Sequence, residues 1–125
     1  MSLVATTLNA KKFADDLSNQ LKSKGWEVEI PSYESFAEFV VKNGHSDRRI
    51  FIEIKDAKEY GELPISSILP IADAVRNNSK DRVVLVSFSE ISTLLLSKLK
   101  GLKVFPLVKP SFDQVVQEVG MALAS

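Results

Sequence analysis

The chain has 125 residues, of which 45% are hydrophobic and 26% charged, and this length and composition are typical of one soluble globular domain. The absence of cysteine excludes disulfide bonds and metal sites with thiolate ligands. The single histidine excludes a histidine cluster, and the formal net charge of zero lacks the basic excess common in nucleic-acid-binding domains. Because no apolar run approaches the ~20 residues of a transmembrane helix and no secretory signal begins the chain, we expect a cytoplasmic protein with a single domain over residues 1–125.

The first half of the chain predicts a helix followed by three strands. Apolar residues recur every four positions from Phe13 onward, which predicts a helix that Asn9 caps and Gly25 ends. The turn residues Asn43 and Gly44 separate two apolar runs, so we expect the second and third strands to form an antiparallel hairpin. The three strands are predicted over residues 26–30, 36–42 and 49–55.

The second half predicts alternating helices and strands. Its two strands are continuous apolar runs, which is the pattern of strands covered on both faces. The order α-β-β-β-α-β-α-β-α, with β-α-β crossovers at its end, indicates an α/β fold with a mixed central sheet flanked by helices. The predicted elements are a helix from Ser66 or Ser67 to residue 77, a strand over 82–87, a helix capped by Ser87 or Ser89 that ends at Lys100, a strand over 102–107, and a helix capped by Ser111 that ends near Ala124.

The third predicted strand combines an apolar face with two charges. Side chains two residues apart in a strand point to the same face, so Glu53 and Lys55 share a face with Phe51. The isoleucines at positions 50, 52 and 54 form the other face. Because burial of an unpaired charge is costly, a charge in the middle of such a strand indicates either a structural partner or a chemical role.

The predicted hairpin brings a second carboxylate near Glu53. Pairing across the Asn43-Gly44 turn places Glu38 beside Glu53 on one sheet face, and a divalent cation relieves the repulsion between two close carboxylates. Mg2+, or Mn2+ in its place, takes oxygen ligands, and the backbone carbonyl of Ile54 is suited to be a third one. Lys55 is suited to orient a water molecule or to stabilise charge on a phosphate. Together these groups predict hydrolysis of a phosphodiester.

Several segments, taken in order, resemble the PD-(D/E)XK nuclease superfamily, and within it the Mrr-type restriction endonucleases. The resemblance covers about residues 10–110 and implies a restriction-endonuclease-like fold, with Glu38 and Glu53 as metal ligands and Lys55 as the catalytic lysine. The chain departs from the family pattern in having Glu38 where an aspartate is usual, and Ser35 and Phe36 where glycines are common. The matching segments are GWEV at 25–28, ESFAEFVV at 34–41, IEIK at 52–55, the predicted helix over 65–75, DRVVLVSFS at 81–89 and LKVFPL at 102–107.

Other interpretations of the same residues remain open. Glu53 and Lys55 are also what an edge strand carries to block unwanted strand pairing. Asp47 is an alternative to Glu38 as a metal ligand, although a role in the turn is more typical of an aspartate there. His45, in the same turn, is interpreted as a solvated loop residue.

Two functions from different classes follow from these residues. The first is a Mg2+-dependent DNA endonuclease of prokaryotic defence or repair, and its neutral charge predicts weak unaided DNA binding, so that a homodimer or a separate DNA-reading subunit is expected. The second is a catalytically inactive domain of the same fold that acts in protein interaction or regulation. A nucleotide-binding module is not supported, because the chain has no glycine-rich phosphate loop.

Overall fold

The fold is built on one five-stranded mixed sheet. The computed structural model describes residues 3–29, 38–44, 48–55, 70, 73 and 80–124. The helices and strands of this part of the chain are α1 (Leu3–Ser23), β1 (Glu27–Glu29), β2 (Phe39–Lys42), β3 (Arg49–Lys55), β4 (Arg82–Ser87), α2 (Thr93–Leu99), β5 (Val104–Val108) and α3 (Phe112–Ala124).

The order of the strands in the sheet follows their order in the chain, β1-β2-β3-β4-β5. Strands β1, β2 and β3 pair antiparallel, whereas β3, β4 and β5 pair parallel. The predicted hairpin and the parallel second half are therefore confirmed, and the fold is the predicted α/β class. The pairing of β1 with β2 extends the hairpin to a meander of three strands. The helix predicted between β3 and β4 falls outside the described residues, except for Pro70 and Asp73, which are both helical.

The two faces of the sheet bury two separate hydrophobic cores. The isoleucines of β3 pack on the side of α1 and α3, where they meet Leu17 and Val119. The opposite face packs against α2 through Leu95 and Leu99. Each aliphatic side chain buried in this way stabilises the fold by roughly 1.5–3 kcal/mol. Strand β4 contributes to both cores, since alternate residues are Val84 and Val86 on one side and Val83 and Leu85 on the other.

The first helix ends as predicted but begins earlier. The N–H of Gly25 donates to the carbonyl of Lys22 (3.0 Å) and the N–H of Trp26 donates to that of Leu21 (3.4 Å), which is the Schellman pattern. Gly25 takes a φ of 88°, a conformation that glycine adopts without strain. The prediction of Asn9 as the helix cap is wrong, because α1 begins at Leu3 and no glycine or proline interrupts it.

Of the caps predicted for α2 and α3, the one for α3 is confirmed and the one for α2 is wrong. Ser111 caps α3 as predicted, since its Oγ accepts from the N–H of Gln114 at 3.2 Å. The cap of α2 is Ser92, whose Oγ accepts from the N–H of Leu95 at 3.1 Å. Ser87 cannot cap a helix, because it is the last residue of β4 and its hydroxyl forms a turn with the backbone of Ser89.

Candidate active site

The candidate residues lie where two parallel strands end side by side. The Cα partner of Glu53 in β4 is Leu85, and that of Lys55 is Ser87. Just beyond β4, the N–H of Phe88 donates to the carbonyl of Lys55, the last residue of β3, at 2.9 Å. The carboxyl ends of parallel strands are the usual place for binding sites in α/β proteins. The sheet therefore presents Glu53 and Lys55 at such an edge.

Glu53 is a buried carboxylate with an incomplete set of partners. Its residue exposure is 3%, and its Oε2 atom has no hydrogen-bond partner among the described residues. The Nζ atom of Lys55 lies 4.0 Å from Oε1, which is too far for a hydrogen bond. A buried carboxylate oxygen without a partner is unusual in a folded protein, because its desolvation is not offset.

The surroundings of Glu53 raise its pKa from 4.5 to about 7. Burial is the largest cause, because it disfavours the charged form. The positive charge of Lys55 lowers the pKa, the negative charge of Glu38 raises it, and the backbone N–H of Ile54 lowers it by a smaller amount. The sheet thus holds a carboxyl group that changes its charge near neutral pH.

Glu38 stands at the beginning of β2, beside the strand that carries Glu53. It directly precedes Phe39, whose Cα partner in β3 is Ile52, and its own N–H donates to the carbonyl of Ile52 at 2.8 Å. Its side chain is exposed, yet its charge reaches Glu53 and raises the pKa of that carboxyl. The structure therefore brings the two predicted carboxylates onto neighbouring strands, one exposed and one buried.

The backbone carbonyl of Ile54 points toward the side of β3 on which Glu38 lies. Along a strand, successive residues direct their N–H and C=O groups to opposite neighbours. The carbonyl of Lys55 accepts from Phe88 on the β4 side, and that of Ile52 accepts from Glu38 on the β2 side. Ile54 has the same parity as Ile52, so its carbonyl is directed to the β2 side. The carbonyl of Ile54 is thus directed to the same side of β3 as the position of Glu38.

This set of oxygen atoms fits a hard divalent cation. The buried Oε2 of Glu53 lacks a partner, and oxygen atoms from carboxylates and carbonyls are the ligands that Mg2+ prefers. No group of three or more Asp, Glu, His or Cys side chains is placed to hold a metal in the part of the chain that the structure describes. The alternative ligand Asp47, and His45, lie outside that part.

The interpretation of Glu53 and Lys55 as edge charges is wrong. β3 is the central strand of the sheet, with β2 on one side and β4 on the other. A carboxylate in that position protects no edge from pairing. Its burial must be accounted for by other contacts or by a role in binding.

One ion pair at the other end of the sheet did not emerge from the sequence. Arg49 Nε donates to Asp81 Oδ1 at 3.1 Å and its Nη2 atom donates to Oδ2 at 2.6 Å. Asp81 is fully buried, and the guanidinium of Arg49 also lies over the ring of Phe51 at 5.2 Å. The hydrogen bond to Asp81 raises the pKa of Arg49. The only signal for the pair is that charged residues stand at the start of each of the two apolar strands.

Comparison with known proteins supports the fold. No protein-family model and no curated protein match the sequence. Among solved structures, the chain is similar to the MspJI restriction endonuclease in complex with a 27-mer oligonucleotide, with a TM-score of 0.53 and 8% sequence identity. The similarity covers 98% of this chain and 34% of that one, so the chain spans about a third of the length of its structural neighbour. The fold is therefore consistent with that of a restriction endonuclease.

The helices of the described residues do not include one that is both long and apolar enough to cross a membrane.

Proposed function

We propose that this protein is a Mg2+-dependent phosphodiester hydrolase that acts on DNA, with Mn2+ as an alternative cation. The observation that carries the proposal is the buried Oε2 of Glu53, which has no hydrogen-bond partner among the described residues, while a second carboxylate stands on the neighbouring strand and raises its pKa. A divalent cation at this place offsets both the desolvation and the repulsion. The side chains of Glu38 and Glu53 and the carbonyl of Ile54 are the proposed ligands.

The residues of the chain then have separate roles. Glu53 supplies a charge in a dry site, where it interacts more strongly than in water. Lys55, whose side chain is 33% exposed, reaches toward solvent next to that carboxylate; it orients the attacking water and stabilises negative charge on the phosphate. When bound, the cation supplies a Lewis acid and lowers the pKa of a bound water.

The fold supports DNA as the substrate, because the structural neighbour is a restriction endonuclease in complex with an oligonucleotide. The chain has equal numbers of basic and acidic residues, 16 of each, so it lacks an excess of basic residues for phosphate contacts. We therefore include in the proposal a second copy of the chain or a separate DNA-reading subunit.

The test is DNA cleavage with matched variants. Supercoiled plasmid is incubated with the protein and Mg2+ or Mn2+, with EDTA as the metal-free control. We expect nicking that is lost in Glu53→Gln and Lys55→Ala and kept in Glu29→Gln, an exposed carboxylate of β1 that pairs with Lys42. Equal activity of wild type and Lys55→Ala, or activity that survives EDTA, rejects the proposal.

The alternative is a catalytically inactive domain of the same fold that serves protein interaction or regulation. It is favoured by the observation that no group of three or more Asp, Glu, His or Cys side chains is placed to hold a metal among the described residues, and that Glu38 is exposed. The two proposals differ in metal binding. Calorimetry with Mn2+ separates them, because a heat of binding that is lost in Glu53→Ala excludes the inactive interpretation, whereas no heat in wild type excludes the hydrolase.

A further inference from the structure

An apolar groove with a basic rim lies at the edge of the sheet formed by β5. Its apolar wall includes Leu96 of α2, Leu102 of the following turn and Phe105 of β5. Its basic residues are Arg82, Lys100 and Lys103, and no acidic residue is among the described residues that line it. Phe105 is 48% exposed, which is high for a large aromatic side chain in a strand.

The charge of this region differs from that of the chain as a whole. Between Glu90 and Asp113 the sequence contains four lysines and no acidic residue, although the net charge of the chain is zero. One of the four, Lys109, pairs with Glu90 at 2.8 Å. The other three lie at the end of α2 and in the turn before β5, so this edge of the molecule has a positive local field.

The backbone of β5 is not suited to receive another strand. The carbonyl of Lys103 and the N–H of Lys109 both bond to β4, so the odd-numbered residues of β5 direct their backbone groups inward. The even-numbered residues, including Pro106, direct theirs to the outer edge. Proline has no N–H, so the middle of this edge lacks a donor. A ligand of the groove must therefore bind mainly through side chains.

The groove is also separate from the candidate active site. The Cα partner of Val83 is Val104, near the start of β5, whereas Glu53 pairs with Leu85 and Lys55 with Ser87, at the far ends of β3 and β4. A ligand in the groove does not touch the catalytic residues. Binding there is independent of whether the proposed hydrolysis takes place.

We propose that this groove binds an acidic peptide segment of a partner protein. Aliphatic or aromatic side chains of the segment pack on Phe105 and Leu102, and its carboxylates pair with Lys100 in the positive field of the rim. Charge complementarity favours an acidic ligand. A wall of several leucines with one phenylalanine favours a peptide over a nucleic acid, whose successive bases stack on more than one aromatic side chain.

The experiment selects peptides from a random display library on the full-length protein. Selected peptides are measured by fluorescence anisotropy against wild type, Lys100→Glu, Phe105→Ser and the control Lys98→Glu, which changes an exposed lysine of α2 outside the groove lining. We expect the peptides to combine Asp or Glu with apolar residues. We expect their affinity to fall about tenfold or more in Lys100→Glu and Phe105→Ser and to change little in Lys98→Glu.

Four outcomes would overturn the proposal. The first is a selection that enriches no peptides or peptides without acidic residues, and the second is equal binding by all four proteins. The third is binding of a 20-mer single- or double-stranded DNA that depends on Lys100 and displaces the peptides, which assigns the groove to nucleic acid. The fourth is a dimer in sedimentation that is lost in Phe105→Ser, which assigns it to a second copy of the chain.

Discussion

Lys55 Nζ stands 4.0 Å from Glu53 Oε1, so the ammonium group of Lys55 does not complete the contacts of this buried carboxylate. The other oxygen, Oε2, has no hydrogen-bond partner among the described residues. The fold therefore stabilises the charged form of Glu53 only in part, and the pKa of Glu53 responds to changes in the neighbouring charges. The first three predictions follow from this relationship.

The stability of the protein should fall as the pH rises through the range in which Glu53 ionises. The pKa of Glu53 is about 7 when folded and 4.5 when not perturbed, so between these values the folded state binds a proton that the unfolded state lacks. Stability is therefore lost with rising pH, by about 3 kcal/mol over that interval. Urea unfolding at pH 4.5, 6 and 8 measures the loss. In Glu53→Gln this part of the pH dependence should be absent; an unchanged pH profile in the variant would contradict the assignment.

The pKa of Glu53 should move in opposite directions in two single variants. Lys55→Ala removes a charge that lowers this pKa, so the pKa should rise further. Glu38→Gln removes a charge that raises it, so the pKa should fall. Carbon-13 NMR of the glutamate carboxyl groups follows the titration, with Glu29→Gln as the control that leaves it in place. A Glu53 pKa that does not respond to Glu38→Gln would show that the two carboxylates do not interact.

Mn2+ should raise the melting temperature of the wild-type protein and should release a proton on binding below pH 7. The cation requires the charged form of Glu53, which is the minor form at pH 6 because the pKa is about 7. Differential scanning calorimetry measures the shift, and titration calorimetry in buffers of different ionisation enthalpy measures the proton. Glu53→Gln should lose both effects, while Glu29→Gln keeps them. A shift of equal size in Glu53→Gln would place the cation elsewhere.

Substitution of one member of the Arg49–Asp81 pair should destabilise the fold strongly. Arg49→Met leaves the fully buried Asp81 without its two hydrogen bonds, which should cost about 3 kcal/mol of unfolding free energy. The double variant Arg49→Met/Asp81→Leu removes both charges and should recover much of this loss. Urea denaturation of the wild type, Arg49→Met, Asp81→Leu and the double variant tests the coupling. Additive effects of the two substitutions would mean that the pair does not act as a unit.

Substitution of Pro106 should make the protein self-associate. Pro106→Thr restores an outward N–H in the middle of β5, next to the exposed Phe105, and an exposed edge with a full set of donors is a template for strand addition. Sedimentation velocity and light scattering at rising concentration should show larger species. Pro110→Thr, which changes a proline after the end of β5, is the control and should remain as the wild type. Equal self-association of the two variants would show that Pro106 does not protect the edge of β5.

Local sequence signals were sufficient for much of the fold. The Asn43-Gly44 turn and the apolar runs around it predicted the hairpin, and Gly25 predicted the end of α1. The cap of α2 was not predictable in the same way, because three serines near its start, at positions 87, 89 and 92, all satisfy the local rule. Ser87 is excluded as the cap of α2 because it pairs with β3 and β5, and that pairing depends on distant parts of the chain.

The same distinction applies to the site. Glu53 and Lys55 were recognisable because a charge in an apolar strand is costly to bury and is therefore unusual in the local sequence. The approach of Glu38 depended on the register of the hairpin, for which the turn residues were a guide. The Arg49–Asp81 pair joins residues 32 positions apart in the chain. Nothing in either local pattern specifies that the two strands begin side by side.

The burial of Glu53 also bears on how such a domain changes over evolutionary time. An apolar residue at this position would pack in the sheet without the cost of a charge, so loss of the proposed hydrolysis would be accompanied by a gain in stability. Substitutions that abolish the proposed chemistry would then be retained easily once selection on it is relaxed. A lineage with the proposed activity would therefore pass from hydrolase to inactive domain by small steps, and the return would require a destabilising change first.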